Sequence, residues 1–243
     1  MAPLWQGAIT RMTQNLQQTR AKLEHHHGDS EKFIQIMKES FAARFDDAFW
    51  VAWEEFMVPA ISDRGLTLDM GAGLGLFLHE YINRYPGTRG LGIECAAYML
   101  EAADEMPPGC DMLVEDLHDP SLPLANRSLD AAIASMVLHE LNQPVRALRE
   151  VARCLKPGGR LMVIDWVRSP LSSYLEAEDL MTAAFDPETT TERASHCFQH
   201  FGEHNRYTTE DLIFLLEKTG FKLIDRTPLK DGRIVRLVAE KRA

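Results

Sequence analysis

Short apolar runs alternate with amphipathic stretches over the middle of the chain. The apolar runs have strand length and lie at residues 66–70, 90–94, 111–115, 129–136 and 160–166. Stretches with helical period separate them, at residues 74–85, 96–105 and 144–155. Apolar runs that alternate with helices in this order are typical of parallel strands joined by crossover helices. We therefore predict an α/β fold with a doubly wound, Rossmann-like sheet.

The end of the chain carries a different pattern. Residues 208–220 begin with two threonines and two acidic residues and end in glycine, as expected for a capped helix. Two further apolar runs, at residues 222–227 and 234–240, are separated by an Asp-Gly step. Such a step favours a hairpin. The pattern predicts that an otherwise parallel sheet ends with an antiparallel strand.

Residues 1–62 precede the first strand, and we predict an N-terminal arm followed by a helical cap. Residues 1–30 are polar, with weak helical period, and contain three consecutive histidines at residues 25–27. We interpret them as a loosely packed arm with a solvated histidine run rather than a metal tract. Apolar residues then recur at helical spacing, and an aromatic stretch ends at Pro59. We interpret this stretch as helix packing, with a hydrophobic lid over the substrate as the alternative.

Composition narrows the class of protein. The chain has 243 residues, 45% of them hydrophobic, which is enough to build a folded core. Its formal net charge of −10 disfavours nucleic acid as the main substrate. The four cysteines form no CxxC pair, and no apolar run reaches the roughly 18 residues that span a bilayer. We expect a cytoplasmic protein without membrane insertion.

A glycine-rich loop follows the first predicted strand and contains Gly71, Gly73 and Gly75. Glycines let the backbone approach a ligand closely. The third glycine comes one position too early for a dinucleotide fingerprint, which weakens a nicotinamide interpretation. Glu94 follows roughly 20 positions later, where a carboxylate can accept both ribose hydroxyls. Asp116 follows the third strand, where it could accept the exocyclic amine of adenine, so we predict an adenosine-type ligand.

This ordered set of motifs resembles a class I S-adenosylmethionine-dependent methyltransferase. The resemblance covers residues 66–166 and includes the glycine loop, the two acids, residues 129–141 and the Lys-Pro-Gly-Gly segment at residues 156–159. It is closest to the small-molecule branch that includes quinone-biosynthesis C-methyltransferases. The resemblance implies a seven-stranded sheet with an antiparallel last strand, S-adenosyl-L-methionine as cofactor and S-adenosyl-L-homocysteine as product.

The resemblance also implies roles for individual residues along the cofactor. The loop would face its amino-acid end, an acid would bind its ribose, two residues would frame its adenine, and a serine would lie beside its methionine portion. In that order the residues are Asp69, Gly71, Gly73 and Gly75, then Glu94, then Asp116 and Leu117, and finally Ser135. The Pro-Pro-aromatic turn of enzymes that methylate planar amines of DNA is absent after the fourth strand, so we predict a small-molecule acceptor.

Catalysis of methyl transfer rests largely on aligning donor and acceptor, and a general base is needed only where the acceptor loses a proton. His139 and Glu140 follow the fourth strand, close to the expected methyl group. His139 is our candidate base, with bracing of the turn as the alternative. Trp166 and Arg168 follow the fifth strand and could form a wall for the acceptor.

Residues 168–207 interrupt the alternation, and we predict an insertion that shapes the substrate pocket. On a helix His196 and His200 would share a face, which with Cys197 would suit a soft metal. We predict that Gly202 interrupts the helix before His204, and we therefore assign no metal. The candidate acceptor-binding or proton-handling residues are His200, His204 and Tyr207. A structural lid without chemistry is the alternative.

The sequence therefore predicts two units, an N-terminal arm and cap (1–62) and an S-adenosylmethionine-binding domain (63–243). The predicted reaction is methyl transfer to a small-molecule acceptor by in-line displacement. An S-adenosylmethionine-binding protein or subunit without transfer activity is the alternative, and a nicotinamide oxidoreductase is a third hypothesis. The acceptor atom stays open, as does oligomerisation through the N-terminal helices.

Overall fold

The computed structural model describes residues 14–243, so the first thirteen residues of the predicted arm lie outside the described residues. Seven strands form one sheet in this part of the chain. They are β1 (Leu66–Met70), β2 (Arg89–Glu94), β3 (Cys110–Val114), β4 (Leu129–Ser135), β5 (Leu155–Trp166), β6 (Phe221–Leu229) and β7 (Ile234–Lys241). Across the sheet their order is β3-β2-β1-β4-β5-β7-β6. Strands β1 to β5 pair in parallel, whereas β7 is antiparallel to both neighbours. The predicted fold class is confirmed.

Helices cover both faces of the sheet and extend beyond its ends. They are α1 (Gln14–His27), α2 (Ser30–Arg44), α3 (Asp47–Phe56), α4 (Leu76–Arg84), α5 (Ala97–Ala102), α6 (Val145–Cys154), α7 (Leu171–Ala177), α8 (Met181–Phe185), α9 (Thr191–His204) and α10 (Thr209–Lys218). None of the described helices is both long enough and apolar enough to cross a membrane.

The C-terminal signals match the structure. The Thr208 side chain accepts a hydrogen bond from the Asp211 backbone, and the Asp211 carboxylate accepts one from the Thr208 backbone, so a capping box starts α10. The predicted hairpin joins β6 and β7 through a short turn at Lys230–Gly232, in which Asp231 has φ +56°. Local sequence signals therefore define both the start of α10 and the turn between β6 and β7.

The Lys-Pro-Gly-Gly segment lies within the fifth strand, although its residues are typical of a sharp turn before a strand. Strand β5 begins at Leu155, which pairs with Leu129, and pairing resumes with Arg160 opposite Ala131. The four residues between form an irregularity within one long strand, with Gly158 at φ +76°. Helix α6 ends where predicted, but residues 156–159 form a bulge within β5 instead of a turn outside the sheet.

The helical cap is divided where the sequence period appears continuous. Asp46 accepts a hydrogen bond from the Phe49 backbone N–H at 2.8 Å and starts a new helix, α3. The aromatic side chains of α3 pack on α4, with Trp53 fully buried and the Trp50 and Phe77 rings nearly parallel at 6.0 Å. These contacts support the packing interpretation of the aromatic stretch.

Helix α1 corrects the prediction of a loosely packed arm. Leu16 and Thr19 are buried, and the Arg20 Nε atom donates to the Cys95 carbonyl at 2.6 Å. The His27 ring stacks on Phe33 at 3.8 Å, so the predicted solvated run is wrong for this histidine. The side chains of His25 and His26 lie outside the described residues. The helical period of α1 is weak because polar side chains rather than an apolar stripe attach it to the sheet domain.

Candidate functional site

A cavity of about 810 Å³ lies at the carboxyl ends of the parallel strands. This volume falls within the roughly 300–1,000 Å³ typical of ligand sites. Residues predicted to bind the cofactor line one part of it, namely Gly71, Gly73, Glu94, Asp116, Leu117 and Ser135. Residues predicted to handle the acceptor line another part, namely His139, His200 and His204. The fold therefore brings both predicted sets into one space.

The glycine loop lies close to the turn after β4. Gly71 has φ +69°, and a Cβ atom built on it would lie 2.6 Å from Val137 Cγ2. A side chain there would require both a strained backbone and displacement of Val137. The backbone of the glycine loop therefore packs directly against Val137, and a ligand in the cavity can contact this backbone.

Three predicted site residues lie outside the large cavity. Gly75 starts α4 in the left-handed region, and its Cβ atom would meet Met106, which gives it a structural role there. Tyr207 packs at the edge of the core, where its carbonyl accepts from the Arg168 backbone N–H at 2.8 Å. Asp69 lines a separate small cavity of about 20 Å³ together with Gly71 and Ser135.

Glu94 connects the end of β2 to the glycine loop. Its Oε2 atom accepts from the Gly73 N–H at 2.9 Å, and Oε1 accepts from the N–H groups of Cys95 and Ala96 at 2.7 Å. Burial raises the pKa of Glu94, while the three backbone donors oppose this rise. The carboxylate is thus held at the strand end where a ribose was predicted.

Asp116 is anchored by hydrogen bonds from two sides. Its Oδ2 atom accepts from the Thr19 hydroxyl of α1 at 2.8 Å, and Oδ1 accepts from the His118 backbone at 2.9 Å. Burial raises the pKa of Asp116, but the hydrogen bonds from His118 and Thr19 outweigh it and hold the pKa below its usual value. Helix α1 therefore contacts the residue predicted to recognise adenine.

The buried Asp69 carboxyl is in a different electrostatic state. Burial, reinforced by the nearby charge of Glu94, raises its pKa to about 7, whereas the charge of Arg44 lowers it. A carboxyl group with such a pKa changes charge near neutral pH. Ligand charge in this region will therefore influence its ionisation.

His139 is held by a carboxylate that sequence reasoning missed. Its Nδ1 atom lies 2.6 Å from Asp165 Oδ1, the geometry of an Nδ1–H donor, and Asp165 Oδ2 also accepts from the Leu138 backbone at 2.7 Å. Burial lowers the pKa of His139, but Asp165 outweighs it and raises the pKa above 6.5. Asp165 lies inside the buried strand β5, and a lone acid in an apolar strand was the available signal.

The insertion contributes a row of imidazoles along the cavity wall. Helix α9 continues through Gly202 to His204, so the predicted interruption is wrong. A Cβ atom on Gly202 would meet nothing within 4 Å, and this exposed glycine is tolerated at a cost of about 1 kcal/mol. Ring centroids are 4.3 Å apart for His196 and His200 and 5.6 Å apart for His200 and His204.

His204 links this row to the sheet. Its ring stacks on Trp166 at 4.7 Å and lies perpendicular to His139 at 5.3 Å. Its Nδ1 atom is 2.8 Å from the Tyr174 hydroxyl. Among the described residues, no group of three His, Cys, Asp or Glu side chains has the arrangement of a metal site. The acceptor part of the cavity is consequently aromatic and rich in imidazole.

The sequence is similar to a known protein family and to individual proteins of known name. A family described as a methyltransferase domain matches residues 68–163. A demethylmenaquinone methyltransferase of Chlamydia trachomatis is 29% identical over 142 residues, 56% of this chain and 62% of that protein. A Bos taurus protein named "Probable tRNA methyltransferase 9B" is 30% identical over 66% of this chain, but only over 34% of its own length. The chain thus matches less than two thirds of either relative.

A solved structure extends the similarity to nearly the whole chain. An S-adenosylmethionine-dependent methyltransferase from Aquifex aeolicus superposes with a TM-score of 0.52 over 93% of this chain and 97% of that chain. Its sequence identity is 17%, so it supports the fold. With the matched region and the glycine-loop site, this likeness leads to one assignment. Residues 68–163 match a methyltransferase domain and the chain has the fold of solved S-adenosylmethionine-dependent methyltransferases, which together imply S-adenosylmethionine as the cofactor.

Proposed function

We propose that the chain transfers a methyl group from S-adenosylmethionine to a small-molecule acceptor. The observation that carries this proposal is the continuous 810 Å³ cavity, which reaches from the glycine loop to His139 and the imidazoles of α9. When bound, the cofactor supplies a methyl group already activated by its sulfonium. The chain's own contribution is to hold both partners in line and to exclude water.

The cofactor-binding part of the cavity has donors and acceptors suited to this ligand. Glu94, Asp116 and Leu117 all line this cavity. In the proposed site Glu94 accepts the ribose hydroxyls, and Asp116 with Leu117 binds the adenine. Ser135, the last residue of β4, lines the same cavity. Gly71, whose missing side chain makes room for Val137, lines the cavity and contacts the amino-acid end through its backbone in the proposed site.

His139 is the general base in the proposed mechanism. Its Nδ1 atom is occupied by Asp165, which fixes the orientation of the ring and leaves Nε2 to accept a proton from the acceptor. The acceptor's electron pair would bond to the methyl carbon that the cofactor supplies, with the neutral thioether as leaving group and the acceptor's proton on His139. Asp165 is a positioning residue that also stabilises the resulting imidazolium.

The shape of the cavity supports a small acceptor. Helices α1, α2 and α9 all contribute to its walls, and this enclosure favours a small acceptor over a base within folded tRNA. The net charge of −10 adds electrostatic repulsion against a phosphate backbone. The four cysteines are all buried and unpaired, which supports a reducing compartment such as the cytoplasm.

A binding and transfer experiment tests the proposal. Isothermal titration with S-adenosylhomocysteine should give saturable binding, and radiolabelled S-adenosylmethionine should label members of a panel of hydroxylated and carbon-nucleophile aromatic compounds. Absence of binding would reject the cofactor assignment for the folded protein. Binding without transfer to any acceptor would favour the alternative of a binding subunit, and transfer to tRNA alone would overturn the small-molecule class.

A further inference from the structure

His27, the last residue of α1, lies in the wall of the large cavity. Its Nε2 atom is 3.2 Å from Oε1 of Glu140, which ends the short helical turn after β4 and lines the same cavity. The Tyr98 hydroxyl contacts Nδ1 of the same imidazole, and the ring stacks on Phe33. The N-terminal cap thus fixes the position of a carboxyl group that belongs to the sheet domain.

The hydrogen bonds around His27 define which groups donate. Burial raises the pKa of Tyr98, so its hydroxyl keeps its proton and donates to Nδ1 of His27. The imidazole then carries its proton on Nε2 and donates it to Glu140. A carboxylate held in this way has lone pairs left for a second donor. Glu140 therefore offers a hydrogen-bond acceptor at the cavity wall.

Glu140 and the proposed base form a pair of acceptors. Oε1 of Glu140 lies 4.0 Å from Nε2 of His139. Because Nδ1 of His139 donates to Asp165, Nε2 of the neutral ring has only a lone pair. Two acceptors at this distance form no hydrogen bond with each other. A ligand with two neighbouring donors satisfies both of them at once.

The walls near this pair are aromatic. Trp166 and Tyr174 line the cavity, and the His204 ring stacks on Trp166 at 4.7 Å. Aromatic side chains bind planar rings by offset or edge-to-face contacts. The two donors are therefore expected on one aromatic ring.

We propose that the acceptor is an aromatic compound with hydroxyl groups on two adjacent ring carbons, and that Glu140 selects it. This inference rests on the proposed function and names the acceptor class. The reacting hydroxyl gives its proton to Nε2 of His139, and its oxygen bonds to the methyl carbon, with the neutral thioether as leaving group. The neighbouring hydroxyl keeps its proton and donates it to Glu140. His27 is a positioning residue, since it acts through Glu140.

The ortho and meta isomers of dihydroxybenzene test this class, because they differ only in whether the two donors are adjacent. Wild-type protein should methylate the ortho isomer with a kcat/KM at least about tenfold above that of the meta isomer, as expected for one charge-assisted hydrogen bond. The product should be a methyl ether, identified by mass spectrometry and NMR. Glu140→Ala should bring the ratio close to one, and Glu140→Gln, which keeps one acceptor oxygen, should give an intermediate ratio. The ratio is the readout because the charge of Glu140 also raises the pKa of His139, which affects both isomers.

His27 is tested by two substitutions. His27→Phe keeps a ring beside Phe33 but removes the donor to Glu140, and it should lower the ratio several-fold through the KM of the ortho isomer. His27→Gln keeps an N–H donor and should restore part of the ratio. A merely structural role of His27 would change the kinetics of both isomers alike.

Asp29→Asn is the matched control. It removes one negative charge from the wall of the same cavity, while asparagine caps α2 as well as aspartate does. It should leave the ratio unchanged. Thermal unfolding of each variant establishes that folded states are compared, and Glu140→Gln carries the test if Glu140→Ala does not fold.

The outcomes separate this inference from the proposed function. Transfer to other small acceptors without preference for the ortho isomer, or transfer to a ring carbon, overturns the acceptor class and leaves the proposed function in place. An unchanged ratio in Glu140→Ala, or an equal change in Asp29→Asn, overturns the role of Glu140. Wild-type protein that transfers a methyl group to no small molecule overturns both proposals.

Discussion

The two halves of the cavity wall are built in different ways. The sheet half places its groups through backbone pairing, as in β1, which pairs with both β2 and β4, so the glycine loop and Ser135 have fixed relative positions. The helical half, formed by α1, α2 and α9, reaches the cavity through side chains such as Thr19, Met37 and His204. In the proposed function the sheet half positions the reacting groups, and the helical half controls access to them and the choice of acceptor.

Histidine substitutions on the two halves should give the largest contrast. His139→Gln removes the proposed base and should lower kcat about 10²- to 10⁴-fold, the usual range for loss of general acid–base catalysis. His204→Gln removes a ring from the helical half and should lower kcat about tenfold or less, with the change mainly in acceptor KM. Steady-state kinetics with a turned-over acceptor measures both.

The pH profile provides the control for this contrast. A base must be neutral, so activity should rise as pH increases through the pKa of His139, which Asp165 raises above 6.5. Asp165→Asn should shift that rise to lower pH, because the raising charge is removed. Equal effects of His139→Gln and His204→Gln would contradict the division between the two halves.

Gly71 and Gly73 allow the sheet half and the helical half to be compared within one loop. Gly71→Ala would place Cβ 2.6 Å from Val137, next to the sheet, whereas Gly73→Ala would place it 3.3 Å from the flexible end of Met37 in the cap. Both residues have positive φ, so both substitutions carry backbone strain. We expect Gly71→Ala to cost about 3 kcal/mol of unfolding free energy and Gly73→Ala about 1 kcal/mol. Urea unfolding measures the loss of unfolding free energy in both variants. Equal losses would show that Val137 is displaced as easily as the end of Met37.

Substitution of Asp69 should raise the free energy of unfolding but weaken ligand binding. Its folded pKa of about 7 lies above the reference of 3.8, so its contribution to stability is lost as pH rises through that interval. Three pKa units correspond to about 4 kcal/mol, and Asp69→Asn should recover about 2 kcal/mol at pH 8, with a smaller gain at pH 5. The same variant should bind S-adenosylhomocysteine about tenfold more weakly. Thermal unfolding and titration at both pH values measure these effects, and a pH-independent gain would contradict the sign.

The smallest expected effect is at the contact between the halves. Thr19→Val removes the hydroxyl that donates to Asp116 while keeping the shape of the side chain. The unliganded protein should lose about 1 kcal/mol of unfolding free energy. S-adenosylhomocysteine should bind a few-fold more tightly, since Asp116 no longer has a competing donor. Weaker binding in Thr19→Val would show that this hydroxyl assists the ligand instead.

The sequence predicted the sheet half well for a physical reason. Apolar runs in buried parallel strands are nearly continuous, so β1 was located at both of its ends. The acids were found through the same strands, since Glu94 ends β2 and Asp116 lies two residues after β3. Helix α1 was missed because its contacts are polar, and the break at Asp46 was hidden by aromatic side chains that continue the helical period. Asp165 was missed because its significance depends on His139, which is distant in sequence.

Helix α1 lies over the end of the cavity that contains Asp116 and Leu117, held by Thr19 and Arg20. In the proposed site the adenine lies beside this helix, so a product nucleoside leaves past the contacts of Thr19 and Arg20. Weakening those two polar contacts is then expected to change the rate of product release. A change in the helix far from the transferred methyl group is therefore expected to alter how fast the protein cycles.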